Sequence, residues 1–318
     1  MTQFSALAIL GPTASGKTAL ALRLAEYFPC EIISLDSALV YRDMDIGTAK
    51  PSLDERASVP HHLIDIISPL NTYSAADFVR DCVQLVVDIR ARGRIPLIVG
   101  GTMMYFNALT QGLNDLPDAD EQIRATLQAQ KEQFGLAFLY QRLQQCDPIT
   151  ASRLKENDSQ RIERALEVFE LTGKPLSTHL QTAQSVAPLC VHTITLIPEQ
   201  RALLHEQINR RFEIMLQQGF LDEVIELKRK YPELNENMPS MRCVGYRQAW
   251  AYLAGEMDKN AFVAQGQAAT RQLAKRQLTW LRKLPANHIL DPFSHHNIVQ
   301  AALNIVHNFE SCLKERNE

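Results

Sequence analysis

Apolar residues run without a break from Ala6 to Leu10 and stop at Gly11 and Pro12, which predicts a buried strand followed by a sharp turn. Beyond Gly16, the apolar residues Leu20, Leu24 and Tyr27 recur at helical spacing. The stretch EIISLD, residues 31–36, predicts a second strand that ends at an acid. Within residues 73–94, Phe78, Cys82, Leu85 and Ile89 fall on one stripe of a helix. IPLIVGGT, residues 95–102, predicts a third buried strand. Strands alternating with helices imply a mostly parallel sheet, with ligands gathered at the carboxyl ends of its strands.

The pattern changes at about residue 118. From there to about 185 the stretches read as helical, and a strand-like run resumes only at VHTITLI, residues 191–197. Helices are expected at about 199–231, 242–254 and 260–284. The fold class is therefore α/β, with a core made of residues 1–117 and 186–318 and a helical insertion domain at 118–185. No internal repeat or low-complexity tract interrupts it.

The 318 residues carry a formal charge of -3, so the chain as a whole is not an electrostatic binder of nucleic acid, and any such site must be local. Its six cysteines are scattered with no C-x-x-C, which argues against a zinc knuckle or redox pair and favours a reducing compartment. There is no basic segment leading into an apolar one at the N-terminus, and no uncharged run approaches the length of a membrane span. A soluble, cytoplasmic, monomeric protein is expected.

The turn after the first predicted strand carries chemistry. In LGPTASGKTALAL, Gly11, Gly16, Lys17 and Thr18 fill every fixed position of G-x-x-x-x-G-K-[ST], in the required strand–loop–helix context. Such a loop, here Gly11, Pro12, Thr13, Ala14, Ser15, Gly16, Lys17 and Thr18, attracts anionic oxygens through backbone N–H groups and a helix N-terminus. Lys17 adds a point charge, and the Thr18 hydroxyl suits Mg²⁺. Phosphoryl transfer would also call for a metal-binding acid at a strand end. Asp88 ends LVVD but falls within a helical stripe, Asp65 ends HLID, which could be a short strand, and the strand IPLIVGG ends in two glycines. Asp36, at the end of the second strand, suits either a general base or a capping or turn acid.

Two histidine pairs, His61–His62 and His295–His296, fit structural or surface roles better than metal ligation, because adjacent residues of an extended segment face opposite ways. Between Asp258 and Asp291 there is no acid, while Lys259, Arg271, Lys275, Arg276, Arg282 and Lys283 supply six positive charges. Arg271, Lys275 and Arg282 fall near one helical face, a footprint of phosphate-backbone contact, with Trp280 read as core. Three functions stay compatible with these signals: group transfer onto RNA, an ATP-dependent small-molecule kinase, and a nucleotide-driven RNA-binding switch.

Seven segments together resemble the bacterial tRNA dimethylallyltransferases of the tRNA isopentenyltransferase family: GPTASGKT, SLDSALVYRDMDIGTAKP, PHHLIDI, LIVGGTMMYFNAL, GLNDLPDADEQIR, NDSQRIERALEVFELTGKP and MRCVGYRQ. The resemblance implies a P-loop NTPase-like core and an insertion that grips the tRNA anticodon stem-loop. It implies transfer of a dimethylallyl group from dimethylallyl diphosphate to N6 of adenosine 37, with Mg²⁺ and with the glycine loop holding diphosphate in place of a nucleotide. Asp36, Thr102 and Lys17 then become the catalytic residues, with Asp36 as base, and Arg211 an additional diphosphate clamp. Carried over segment by segment, tRNA contacts fall on Asp36, Ser37, Ala38, Leu39, Thr102 and Arg124, and on Gln160, Arg161, Ile162, Glu163 and Arg164. Further contacts fall on Met241, Arg242, Cys243, Val244, Gly245 and Tyr246, and on Ala274, Lys275, Arg276, Gln277, Leu278, Thr279, Trp280 and Leu281.

Overall fold

The computed structural model describes residues 5–114, 116–182, 187–294 and 297–314. In chain order the elements are β1 (Ser5–Leu10), α1 (Lys17–Ala25), β2 (Cys30–Leu35), α2 (Leu53–Ser58), β3 (His61–His62), α3 (Ala75–Ala91), β4 (Ile95–Gly100) and α4 (Met103–Gln111). Five helices follow: α5 (Glu121–Phe134), α6 (Leu136–Cys146), α7 (Pro148–Ala151), α8 (Ser159–Thr172) and α9 (Leu176–Thr182). The chain then returns through β5 (Cys190–Leu196), α10 (Arg201–Gln217), α11 (Phe220–Lys230), α12 (Tyr246–Leu253), α13 (Lys259–Leu281), β6 (His288–Leu290) and α14 (Ile298–Lys314).

All described strand pairings are parallel, in the order β3-β2-β4-β1-β5-β6. Parallel strands covered on both faces read as continuous apolar runs, and β2 and β4 are buried along their whole length. Alternate residues serve opposite faces. Ala6, Ala8, Leu10, Ile33, Leu35 and Ile98 pack against Phe78, Cys82, Val86 and Ile89 of α3, with α4, α10 and α13 completing that layer. Leu7, Ile9, Ile32, Leu97 and Val99 pack against Leu20, Ala21 and Leu24 of α1 and Ala302 and Val306 of α14. No described helix is long and apolar enough to cross a membrane.

The strand ends next to the glycine loop meet closely. A Cβ built on Gly100 would stand 2.1 Å from the Leu35 carbonyl oxygen. That oxygen also accepts from the Gly101 and Thr102 N–H groups, both at 3.2 Å. Gly100→Ala must push two core strands apart, so a loss of about 1–3 kcal/mol is expected, visible as a lower Tm in thermal unfolding.

Several elements differ from the expectation. Tyr27 lies beyond α1 and is 59% exposed. On α3 the third buried position is Val86, while Leu85 is only partly covered. The helix expected at 199–231 is two helices, because Gly219 adopts φ 95° and caps α11 in a left-handed conformation. The helix expected from 242 starts only at Tyr246, leaving Met241–Gly245 as turns. Of HLID only His62 lies in a strand, β3: Leu63 and Asp65 have φ 61° and 58°. The Asp65 carboxylate pairs with Lys50 and with Arg56, the latter at 2.6 Å. Asp88 sits within α3, accepting from Gln84 Nε2 at 2.9 Å. His295 and His296 lie outside the described residues.

The chain divides into two compact units, residues 1–110 with 188–318, and residues 111–187. The helical unit, expected at 118–185, takes in its approach segment because Arg164 Nη2 donates to the Pro117 carbonyl at 2.7 Å and Asp120 N donates to Glu167 at 3.0 Å. Its core is Leu127, Leu139, Leu143, Ala151, Ile162, Ala165 and Leu166.

Candidate functional site

The carboxyl ends of β1, β2 and β4 open into a cavity of about 640 Å³. The glycine loop contributes Thr13, Ala14, Lys17 and Thr18. Asp36, Ser37, Ala38 and Leu39 follow β2, and Gly101 and Thr102 follow β4. Gly47, Thr48 and Ala49 form one side, and Arg242, Cys243, Val244 and Gly245 another. Arg211 enters from α10, and Arg276, Gln277 and Trp280 from α13.

The loop is held from below. Lys17 Nζ and Ser15 Oγ both donate to the Pro12 carbonyl, at 2.7 and 2.8 Å. Ala14 carries a φ of 62°, unusual for a residue with a Cβ, at the bend of the loop. Gln277 binds the loop to the turn after β4: its Oε1 accepts from Thr13 N at 2.8 Å and its Nε2 donates to the Gly101 carbonyl at 3.0 Å.

Asp36 and Thr102 stand at the ends of neighbouring strands. Asp36 Oδ1 accepts from Ala38 N at 2.8 Å, a local turn that fixes the carboxylate. Thr102 Oγ1 accepts from Ser37 N at 3.0 Å, tying the two strand ends together. Burial pushes the Lys17 ammonium down to about 8, against the opposing pull of Asp36, and the Arg211 charge lowers it further. Burial likewise lowers Arg211, again opposed by Asp36. The charged residues lining the cavity are Lys17, Arg211, Arg242 and Arg276 against the single carboxylate of Asp36. Lys17 and Arg211 are partly buried while Arg242 and Arg276 are exposed, and four cations against one carboxylate fit a polyanionic ligand. Burial, with Asp36 adding to it, pushes the Cys243 thiol up to about 12, so it stays protonated and is no thiolate nucleophile.

Of the positions expected to contact RNA, Met241, Tyr246, Ala274, Leu278 and Leu281 turn their side chains into the core. Lys275 and Thr279 are exposed outside the cavity lining. In the helical unit Ile162 is fully buried, Gln160 and Arg161 are exposed, and Glu163 pairs with Lys131 at 2.7 Å. Arg124 and Arg164 both donate to the buried Glu167, at 2.7 Å each.

One reading of α13 changes. Trp280 is 45% exposed and lines the cavity, because Ala274, Leu278 and Leu281 already fill the buried stripe. Arg271, Lys275 and Arg282, expected near one helical face, all lie outside the cavity lining: Arg271 Nη1 donates to Asn209 at 2.8 Å, and Arg276 is the basic residue of α13 in the lining. Sequence reasoning missed an apolar wall of Ile208, Phe212, Met215 and Leu273. Spacing could have found three of these, since Ile208, Phe212 and Met215 share the helical face of Arg211. Among the described residues no group of three or more His, Cys, Asp or Glu could hold a metal on its own.

Residues 39–284 match the family described as IPP transferase. The tRNA dimethylallyltransferase of Neisseria meningitidis is 66% identical over 290 residues, covering 91% of this chain and 93% of that protein. A solved tRNA isopentenylpyrophosphate transferase from Bacillus halodurans is 35% identical with a TM-score of 0.68, covering 99% of this chain and 98% of that one. A eukaryotic dimethylallyltransferase solved acting on tRNA is 27% identical with a TM-score of 0.79, covering 96% of this chain and 79% of that one. With a family match that spans most of its length and a relative at this identity over nine-tenths of it, the chain belongs to the IPP transferase family.

Proposed function

We propose that this protein transfers a dimethylallyl group from dimethylallyl diphosphate to N6 of adenosine 37, beside the anticodon of tRNA, and releases diphosphate. The observation that carries the reading is the single cavity in which Lys17, Arg211 and the glycine loop face Asp36 and Thr102 beside an apolar wall. The cations and loop amides suit the diphosphate, the apolar wall suits the branched five-carbon chain, and Asp36 suits the incoming amine.

The adenine N6 lone pair is delocalised into the ring, so the amine is a poor nucleophile. As N6 bonds to the allylic carbon, the carbon–oxygen bond to diphosphate breaks and the Asp36 carboxylate takes the N6 proton. Negative charge grows on the departing diphosphate, where Lys17, Arg211 and the loop amides stabilise it. The Thr18 hydroxyl, exposed at the start of α1 and part of the lining, offers the kind of oxygen that Mg²⁺ accepts beside substrate phosphates and water. When bound, that ion neutralises diphosphate charge. Thr102 holds the turn carrying Asp36 and stands ready for the base. Arg242, Arg276 and Trp280 supply cations and an aromatic face for RNA around a target adenine that must leave its stack, at a cost of about a few kcal/mol. Gln160 and Arg161 of the helical unit are proposed to meet the anticodon stem.

The kinase reading loses its two candidate acids, since Asp65 holds Lys50 and Arg56 and Asp88 is a residue of α3. The test is incubation of an unmodified anticodon stem-loop with dimethylallyl diphosphate and Mg²⁺, then nucleoside digestion and mass spectrometry. N6-isopentenyladenosine at the position beside the anticodon is the expected product. Unmodified RNA, or transfer only with ATP as donor, would refute the proposal.

A further inference from the structure

Glu223 is absent from the cavity lining, yet two walls of the cavity meet at its carboxylate. Glu223 Oε2 accepts from the backbone N–H of Asp45 at 2.8 Å and of Ile46 at 2.6 Å. Its Oε1 accepts from Gly47 N at 3.1 Å and from the Tyr246 hydroxyl at 2.5 Å. Three successive backbone amides turned toward one anion form a nest, a concavity that backbone geometry builds for negative charge. Here the protein fills it with its own side chain.

The junction is also tight. A Cβ on Gly47 would lie 2.1 Å from Phe220 Cε2 and 2.7 Å from Tyr246 Cε2, so two rings close on the loop and only glycine fits between them. Gly47, Thr48 and Ala49 go on to line the cavity, and Tyr246 directly follows the lining residues Arg242–Gly245. The same loop is attached to the end of α11 a second time, where Lys230 Nζ and the Tyr231 hydroxyl donate to Asp43 at 2.8 and 2.5 Å. The glycine loop is held elsewhere, by Pro12 and Gln277.

We infer that Glu223 is a positioning residue for the RNA side of the reaction: one carboxylate sets the spacing of the two walls between which the target base is received, without touching the diphosphate site. The inference rests on the function proposed above. A base misplaced by about 1 Å costs up to about 10²-fold in rate, so a distant carboxylate can matter to chemistry it never contacts.

The test compares Glu223→Gln, Glu223→Asp and Tyr246→Phe with the wild type. Prenylation of the stem-loop is read as kcat and KM, inorganic diphosphate binding by calorimetry, and amide hydrogen exchange at residues 45–47 by mass spectrometry. In Glu223→Gln, kcat/KM for RNA falls about 10–100-fold, exchange at 45–47 accelerates, and the diphosphate Kd stays as in the wild type. Glu223→Asp recovers part of the rate, and Tyr246→Phe, which keeps the ring and loses one donor, shows the same pattern at smaller size. If Glu223→Gln does not fold, the Tyr246→Phe kinetics decide. A lower Tm with unchanged kcat and KM per folded molecule, or parallel losses in RNA turnover and diphosphate binding, would overturn the inference. A wild type that modifies no RNA counts against the proposed function instead; unchanged exchange at 45–47 in Glu223→Gln would then still dispose of the clamp.

Discussion

Asp36→Asn should lower kcat for prenyl transfer by about 10²–10⁴-fold, the usual contribution of a positioned general base, while tRNA affinity stays close to that of the wild type. Asparagine keeps an oxygen where Asp36 Oδ1 accepts from Ala38 N, so the turn after β2 survives and only the proton acceptor is lost. Asp36→Ala removes the turn as well, and its additional loss over Asn measures what that turn contributes to positioning. The comparison is made by single-turnover kinetics on saturating stem-loop RNA together with direct RNA binding. Equal losses in rate and RNA affinity would remove Asp36 as the base and leave it an RNA contact.

Lys17→Met should cost about 10²–10³-fold in kcat/KM for the donor, the scale seen when one preorganised donor to developing negative charge is removed. The direction with pH follows from burial. In the free protein the Lys17 ammonium is pushed down to about 8. A lysine stabilises diphosphate only while protonated, so kcat/KM for the donor holds below that value and declines as pH rises through it. The profile of Lys17→Met lacks this alkaline limb. An identical limb in the variant would assign the titration to another group. Arg211 does not replace Lys17, since it comes from a different element, α10.

The parts of this picture that could be read from sequence are those whose causes are local. β1, β2 and β4 announce themselves because a parallel strand buried on both faces is one apolar run. The glycine loop is a motif with every fixed position filled. The edge strands stay hidden for the converse reason: β3 is two residues long, and β6 carries Ile289 at 61% exposure, so neither builds an apolar run. The break at Gly219 is hidden by apolar residues that keep their helical spacing on both sides, and one glycine decides the geometry.

The site divides in the same way. Lys17, Thr18, Asp36 and Thr102 end predicted elements and could be located from them. Gln277, which joins the glycine loop to the turn after β4, acts across 264 residues of sequence. Glu223 reaches Asp45 across 178. Neither pairing leaves a trace in spacing or periodicity. The misplacement of Trp280 is instructive: a large aromatic on an amphipathic helix is assigned to the core by default, yet smaller neighbours already fill the stripe, and the ring is left at the rim of the cavity.

On the proposed function, the glycine loop holds what leaves, while the group that moves is carbon. Dimethylallyl diphosphate labelled separately in its hydrocarbon and in its phosphorus, supplied with unmodified tRNA and Mg²⁺, tests it directly. The hydrocarbon label should appear on tRNA and the phosphorus label in free inorganic diphosphate, in equal amounts. Phosphorus label on the RNA, or release of diphosphate without label reaching the RNA, would contradict the account.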